Sequence, residues 1–316
     1  MNQRLPYTLL AIIIFAPCLK AWNDVGHMSV AYVAYQKLTP AARARVDHLL
    51  MLNPYYEMHW KAMIPASTPE AQRGVIIFMF AATWPDAIKR DDTYQDDGPD
   101  KGDRPPSDGT ASRNTGYTDT ARHKYWHFID LPFTTDHSPL PTPPDPNIQT
   151  QITAFRAVLA SDDSDDLKSY DLTWLMHLVG DVHQPLHCAT RVTKKHPDGD
   201  AGGNFVGFCA ANAPKCTSKL HTFWDDVLGT DRSPAAVMKL AAGLKAPAIT
   251  DAGDVQNWIG ESWNLSRKKV YAKPVGNDDG PYRATKAYTD AARKLASQRV
   301  ALAGARLAAI LNQELK

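Results

Sequence analysis

Residues 177–187 read His-Leu-Val-Gly-Asp-Val-His-Gln-Pro-Leu-His. His177 and Asp181 stand four apart, so a helix through them aims both side chains at one spot from one face. Pro185 cannot continue that helix, and His187 just beyond it can fold back over the same spot. His221 and Asp225 repeat the spacing about one helix and one loop later. Imidazole with carboxylate is the donor set of a hydrolytic zinc site. The stretch therefore constrains the chain to helices whose ends converge on metal.

Composition adds bounds. At 316 residues the chain can form one large domain or two modest ones, and 44% hydrophobic with 22% charged residues is ordinary for a globular protein. A formal net charge of +1 excludes a strongly basic surface as the main source of any affinity for nucleic acid. The eleven histidines are the compositional oddity. Arg4, the apolar run 9–15 and the small Ala21 read as an export signal over residues 1–21. Leu19 departs from the usual small residue at such a site, and an acylated start at Cys18 is the alternative. No later segment is apolar for long enough to span a bilayer. Loss of Cys18 leaves Cys188, Cys209 and Cys216 in an oxidising compartment. Cys209 and Cys216 close a short loop and form the favoured disulfide. Cys188 reads as a buried structural thiol, with a thiolate ligand beside His187 as the alternative.

Helical spacing predicts helices over 26–38 and 41–52, a longer one from Thr68 towards Lys89, then 148–159, 166–184, 221–228, 235–244, 254–271 and 282–315. Residues 92–122 and 131–147 are long polar or proline-rich loops, and 191–217 is a third that holds Gly202-Gly203-Asn204. Loops this long in a compact domain often rim a binding site. With no repeat, no linker and few strand signals, residues 22–316 read as a single all-α domain with elaborate loops.

Further donors are Asp86 in Trp-Pro-Asp, His127 in Trp-His-Phe-Ile-Asp, and His27, five residues after Trp22. Cleavage after Ala21 would free the Trp22 amine, which can chelate a metal together with its own carbonyl once neutral. These motifs together resemble, in order along essentially the whole mature chain, the zinc-dependent single-strand-specific nucleases. That family includes the fungal and plant bifunctional nucleases or 3′-nucleotidases, distant relatives of zinc-dependent phospholipase C. The resemblance implies three zinc ions: one on Asp86, His127, His177 and Asp181, a second on His187, His221 and Asp225, and a third on Trp22, His27 and the bridging Asp181. Three aspartates offset only half of a cluster charge of roughly +6, which supplies phosphate affinity in a near-neutral protein.

The chemistry so implied is in-line hydrolysis by water whose pKa the metals lower. Asp86 would orient or deprotonate that water, and Lys89 would neutralise charge developing on phosphate. Phe128 would stack on a base, Asp130 would accept hydrogen bonds from its edge, and Asn204 would lie near the nucleotide. Stacking needs a base not already stacked in a duplex, which favours single strands. The implied substrates are single-stranded DNA and RNA, cut to 5′-phosphorylated nucleotides, and 3′-nucleotides. The implied protein is a secreted or periplasmic monomer with no stable protein partner. Two alternatives stand beside it. A phospholipase C would use the same three metals on a phosphocholine diester, but its relatives carry glutamate at the position of Asp225 and lack the His-Phe-Ile-Asp base site. A zinc-binding protein without turnover is the other. His183 reads as a supporting or surface residue, and His48, His59, His123, His137 and His196 match no motif.

Overall fold

The computed structural model describes residues 22–315. The signal reading over residues 1–21 and the alternative at Cys18 lie outside them. Eleven α-helical elements follow in order: α1 (Asp24–Tyr35), α2 (Pro40–Leu50), α3 (Glu70–Ala81), α4 (Trp84–Ile88), the short turn α5 (Pro99–Gly102), α6 (Ile148–Leu159), α7 (Asp165–Asp181), α8 (Leu220–Asp225), α9 (Pro234–Ala242), α10 (Val255–Leu265) and α11 (Lys286–Glu314). The fold is mainly helical, as the periodicity predicts. α1 packs against α11, α3 and α9, and α7 against α6, α2 and α11. α7 is buried along most of its length, so its two donors sit at the centre of the molecule. Ser164 caps its start by accepting from Leu167 N.

Two breaks correct the predicted helices. The one predicted from Thr68 to Lys89 divides into α3 and α4, and α7 stops at Asp181 rather than at Gln184. Both breaks have one cause. A proline ring clashes with the carbonyl four residues earlier, and Pro85 and Pro185 stand four residues after Ala81 and Asp181. Other bounds shift at the ends: the predicted 254–271 divides into α10 and a π-helical turn, Ser266–Val270, and α11 starts at Lys286 after its Thr285 cap. A further π-helical turn, Tyr56–Lys61, has no counterpart in the periodicity.

Four short strands pair two by two, both pairs parallel. β1 (Pro132–Thr134) pairs with β2 (Thr190–Val192), and β3 (Phe208–Cys209) with β4 (Tyr282–Arg283). The first pair ties the chain after His127 to the chain after His187. Cys209 and Cys216 form the expected disulfide, while Cys188 is a buried free thiol whose Sγ contacts the Val182 carbonyl at 3.4 Å. Burial pushes that thiol up to about 12, so it is protonated and structural. No helix among the described residues is long and apolar enough to cross a membrane.

The loop 92–122 is not merely superficial. It is anchored to α7, where Asn114 Nδ2 donates to both oxygens of Asp171 at 2.8 Å. Burial pushes the Asp171 carboxyl up to about 8 despite that bond, with Asp163 adding to the shift. A raised folded-state pKa means that the fold is favoured when Asp171 is protonated, and that this stability is lost as pH rises from the ordinary carboxylate range through about 8. Asp171→Asn is therefore expected to melt higher than the unsubstituted protein by roughly 5 °C at pH 8. The gap should shrink steadily towards pH 4. Thermal melts across that range check it, and a gap independent of pH would contradict the assignment.

Candidate metal centre

Eight of the expected donors meet at one buried place. His27 comes from α1, Asp86 from α4, His177 and Asp181 from α7, and His221 and Asp225 from α8. His127 ends the short 3-10 turn Lys124–His127, and His187 lies within another, Pro185–Cys188. All are at most 4% exposed. Their ligand atoms fall into three groups, each within 4.8 Å: His27, Asp86 and His177; His127, His177 and Asp181; and His187, His221 and Asp225. The first two groups share His177 and form one continuous cluster.

Asp181 is its hub. Its Oδ1 lies 3.2 Å from His27 Nε2, and its Oδ2 lies 3.0 Å from His127 Nδ1 and 3.3 Å from His177 Nε2. His27 and His177 stack with ring centroids 3.8 Å apart. Gly180 allows this approach, because a Cβ there would stand 2.8 Å from His27 Nδ1. Asp86 lies 3.7 Å from His177 Nε2 and pairs at 2.8 Å with Lys89 Nζ. Lys89 is 7% exposed, so the pair is buried.

The donor set can be tested for a cation from its own hydrogen bonds. His177 Nδ1 donates to the Ala82 carbonyl at 2.8 Å, His187 Nδ1 to His127 O at 2.7 Å, and His221 Nδ1 to Gly202 O at 2.8 Å. A neutral imidazole holds one N–H, so each of these rings turns a lone pair on Nε2 inward. His187 Nε2 and His221 Nε2 then face one another at 3.1 Å. Two lone pairs this close repel unless a proton or a cation stands between them. Two nitrogens on one tetrahedral zinc lie about 3.3–3.4 Å apart, close to the spacing found. Among the described residues both nitrogens of His27, His127 Nε2 and Asp181 Oδ1 have no hydrogen-bond partner, although all are buried. Burial raises Asp181 to about 6 and Asp225 well above the usual carboxylate range. Asp86 differs: burial pushes it up, but Lys89, His177 and His27 outweigh that and hold it well below the usual range. Buried carboxylates disfavoured as anions and facing imidazole nitrogens fit divalent cations.

Trp22 is fully buried, and its indole N–H donates to the Gly180 carbonyl at 3.1 Å. Asn23 N donates to Asp225 O at 3.4 Å. The start of the described chain is thus pinned between the helices that carry Asp181 and Asp225. Lys89, His127, Phe128, Asp130, His187, Gly202 and His221 line one cleft. Burial pushes Asp130 up to about 7, with Asp200 and Asp103 adding to it. Asn204 is not among the cleft-lining residues. Its amide donates to Ala201 O at 2.8 Å, across the turn.

Several supporting groups were not legible in the sequence. Gln184 donates to Asp225 Oδ1 at 2.8 Å and accepts from Leu186 N at 2.7 Å. His123, which matches no motif, is held at 2.8 Å by both Asp97 and Asp119 and stacks on Trp126 at 3.5 Å, next to His127. His183 is buried and faces away from the donors, bonding Val179 O and Arg306. The Gly202 carbonyl that orients His221 depends on a left-handed turn over Ala201, Gly202 and Gly203. A Cβ at Gly202 would stand 2.5 Å from Leu186 O. A family model described as S1/P1 Nuclease matches residues 22–316. None of the curated proteins matches the chain.

Proposed function

The chain belongs to the S1/P1 nuclease family, and from that premise we propose that it is a zinc-dependent phosphodiesterase. Its substrates are single-stranded DNA and RNA, its products are 5′-phosphorylated nucleotides, and it also removes phosphate from 3′-nucleotides. Membership makes it a nuclease, a hydrolase acting on nucleic acids. The observation that carries the finer reading is the set of inward-facing imidazole nitrogens and carboxylates at the floor of a cleft that also holds Phe128 and Asp130.

Three zinc ions are assigned to the donors. Asp86, His127, His177 and Asp181 hold one, and His187, His221 and Asp225 another. The Trp22 amine and carbonyl hold the third with His27 and Asp181. When bound, such ions supply Lewis-acid polarisation of phosphoryl oxygens and acidify water. The chain's own groups do the rest. Asp86, kept ionised beside Lys89, orients the attacking water and can take its proton. The Lys89 ammonium lines the cleft and offsets charge gathering on the phosphoryl group. A P–O bond to water forms as the P–O3′ bond breaks, so the phosphate stays on the 5′ side of the next nucleotide. Phe128 stacks on an unpaired base and Asp130 meets its edge. The same centre makes a phosphomonoester at O3′ a substrate. The disulfide suits an oxidising compartment, and the family match begins at Trp22. Both support an exported protein, secreted or periplasmic, whose mature domain starts there.

One assay set tests the reading. Chelation should abolish cleavage of a single-stranded oligonucleotide, and zinc should restore it. The single strand should be cut about tenfold or more faster than its duplex, leaving 5′-phosphate ends. Products bearing 3′-phosphate, equal rates on duplex, or faster turnover of a phosphocholine lipid would each overturn it.

A further inference from the structure

Among the large hydrophobics exposed in the described residues, Phe205 is the one aromatic. Ala201 and Gly202 form part of the cleft wall, and Phe205 follows three residues after Gly202 in the same turn. Phe205 is 48% exposed, whereas Asn204 and Val206 on either side are 7% and 0% exposed. A single exposed hydrophobic is common and by itself says little. Here the ring is held outward on a rigid support.

That support is specific. Phe205 N donates to Asp200 O at 3.2 Å, and Val206 N to Gly203 O at 3.1 Å. The Asp200 carboxylate is fully buried and accepts from Arg191 N at 3.0 Å, Gly203 N at 3.1 Å and Tyr271 Oη at 2.9 Å. On one side the His196 ring lies 5.1 Å from the Phe205 ring. His196 is itself fixed by Asp279, whose two oxygens lie 3.0 Å from its Nε2. Lys195, with its side chain 72% exposed, pairs with the same carboxylate.

Resting on the nuclease reading, we propose that Phe205, backed by His196, is a base-stacking platform at the rim of the cleft. It takes a base of the single strand beyond the nucleotide held at Phe128 and Asp130. A strand threaded through the cleft must leave it, and its bases are unstacked and apolar on their faces. A phenyl ring with two side-chain torsions, already held by its neighbours, loses little freedom when a base lies on it. Stacking tolerates every base, so the platform adds affinity with chain length and not with sequence.

The test compares a dinucleotide with a decanucleotide of uniform sequence. In the unsubstituted enzyme KM should fall as the strand lengthens. Phe205→Ala should raise KM for the decanucleotide about tenfold while leaving its kcat and both constants of the dinucleotide unchanged. Phe205→Trp should restore the lower KM. An unchanged decanucleotide KM in Phe205→Ala, or an equal loss on the dinucleotide, would overturn the platform and leave the nuclease reading standing. So would a KM independent of chain length in the unsubstituted enzyme. Failure of that enzyme to cut strands of any length would overturn both.

Discussion

Asp181→Asn should lower kcat/KM on single-stranded DNA by about a thousandfold or more while leaving the fold intact. Both oxygens of Asp181 face imidazole nitrogens, from His27 on one side and from His127 and His177 on the other. An asparagine keeps the shape but offers one neutral oxygen, and turns an N–H₂ towards one of those sides. Two of the three proposed metals share this side chain, so metal content should fall along with turnover. Stability should not. Burial raises the metal-free Asp181 carboxyl to about 6, so its ionised form weighs against the metal-free fold above that pH. The metal-free variant should therefore melt at pH 8 no lower than the metal-free parent. Turnover within tenfold of the parent, with the metal content unchanged, would refute the hub role.

The second large effect concerns a peptide bond. A protein that starts at Trp22 offers a free amine, whereas one that keeps Ala21 offers an amide, which is a poor ligand. Trp22 cannot swing away to compensate, because its ring is buried and bonded to Gly180, and Asn23 is tied to Asp225. The extended form is thus expected to bind one metal fewer and to lose about a hundredfold in kcat/KM. Metal counting and turnover on the two purified forms decide it. Equal values would remove Trp22 from the donor set and leave His27 and Asp181 to be explained otherwise.

Much of this was local in the sequence. His177 with Asp181, and His221 with Asp225, follow from helix geometry alone, since residues four apart share a face. The disulfide follows from the short loop between Cys209 and Cys216. Even the two misjudged helix ends carried their signal, because Pro85 and Pro185 each exclude the carbonyl four residues back. That arithmetic gives Ala81 and Asp181. The break at Ala81 has a use: the Ala82 carbonyl, outside α3, accepts from His177.

What the tertiary structure decided is how those donors are aimed. The carbonyls that set the tautomers of His177, His187 and His221 lie 95, 60 and 19 residues away along the chain. A backbone carbonyl is the same in every residue, so no side-chain spacing can announce which one a histidine will meet. The same reason hid Gln184 and His123, whose surroundings depend on partners brought close by packing. The exposure of Phe205 belongs here too, since only the folded turn over residues 200–206 holds that ring in water. By itself the sequence determined which side chains are candidate donors, because residue type and local periodicity are written there. Only packing determined where their lone pairs point, because orientation is a property of neighbours distant in the chain.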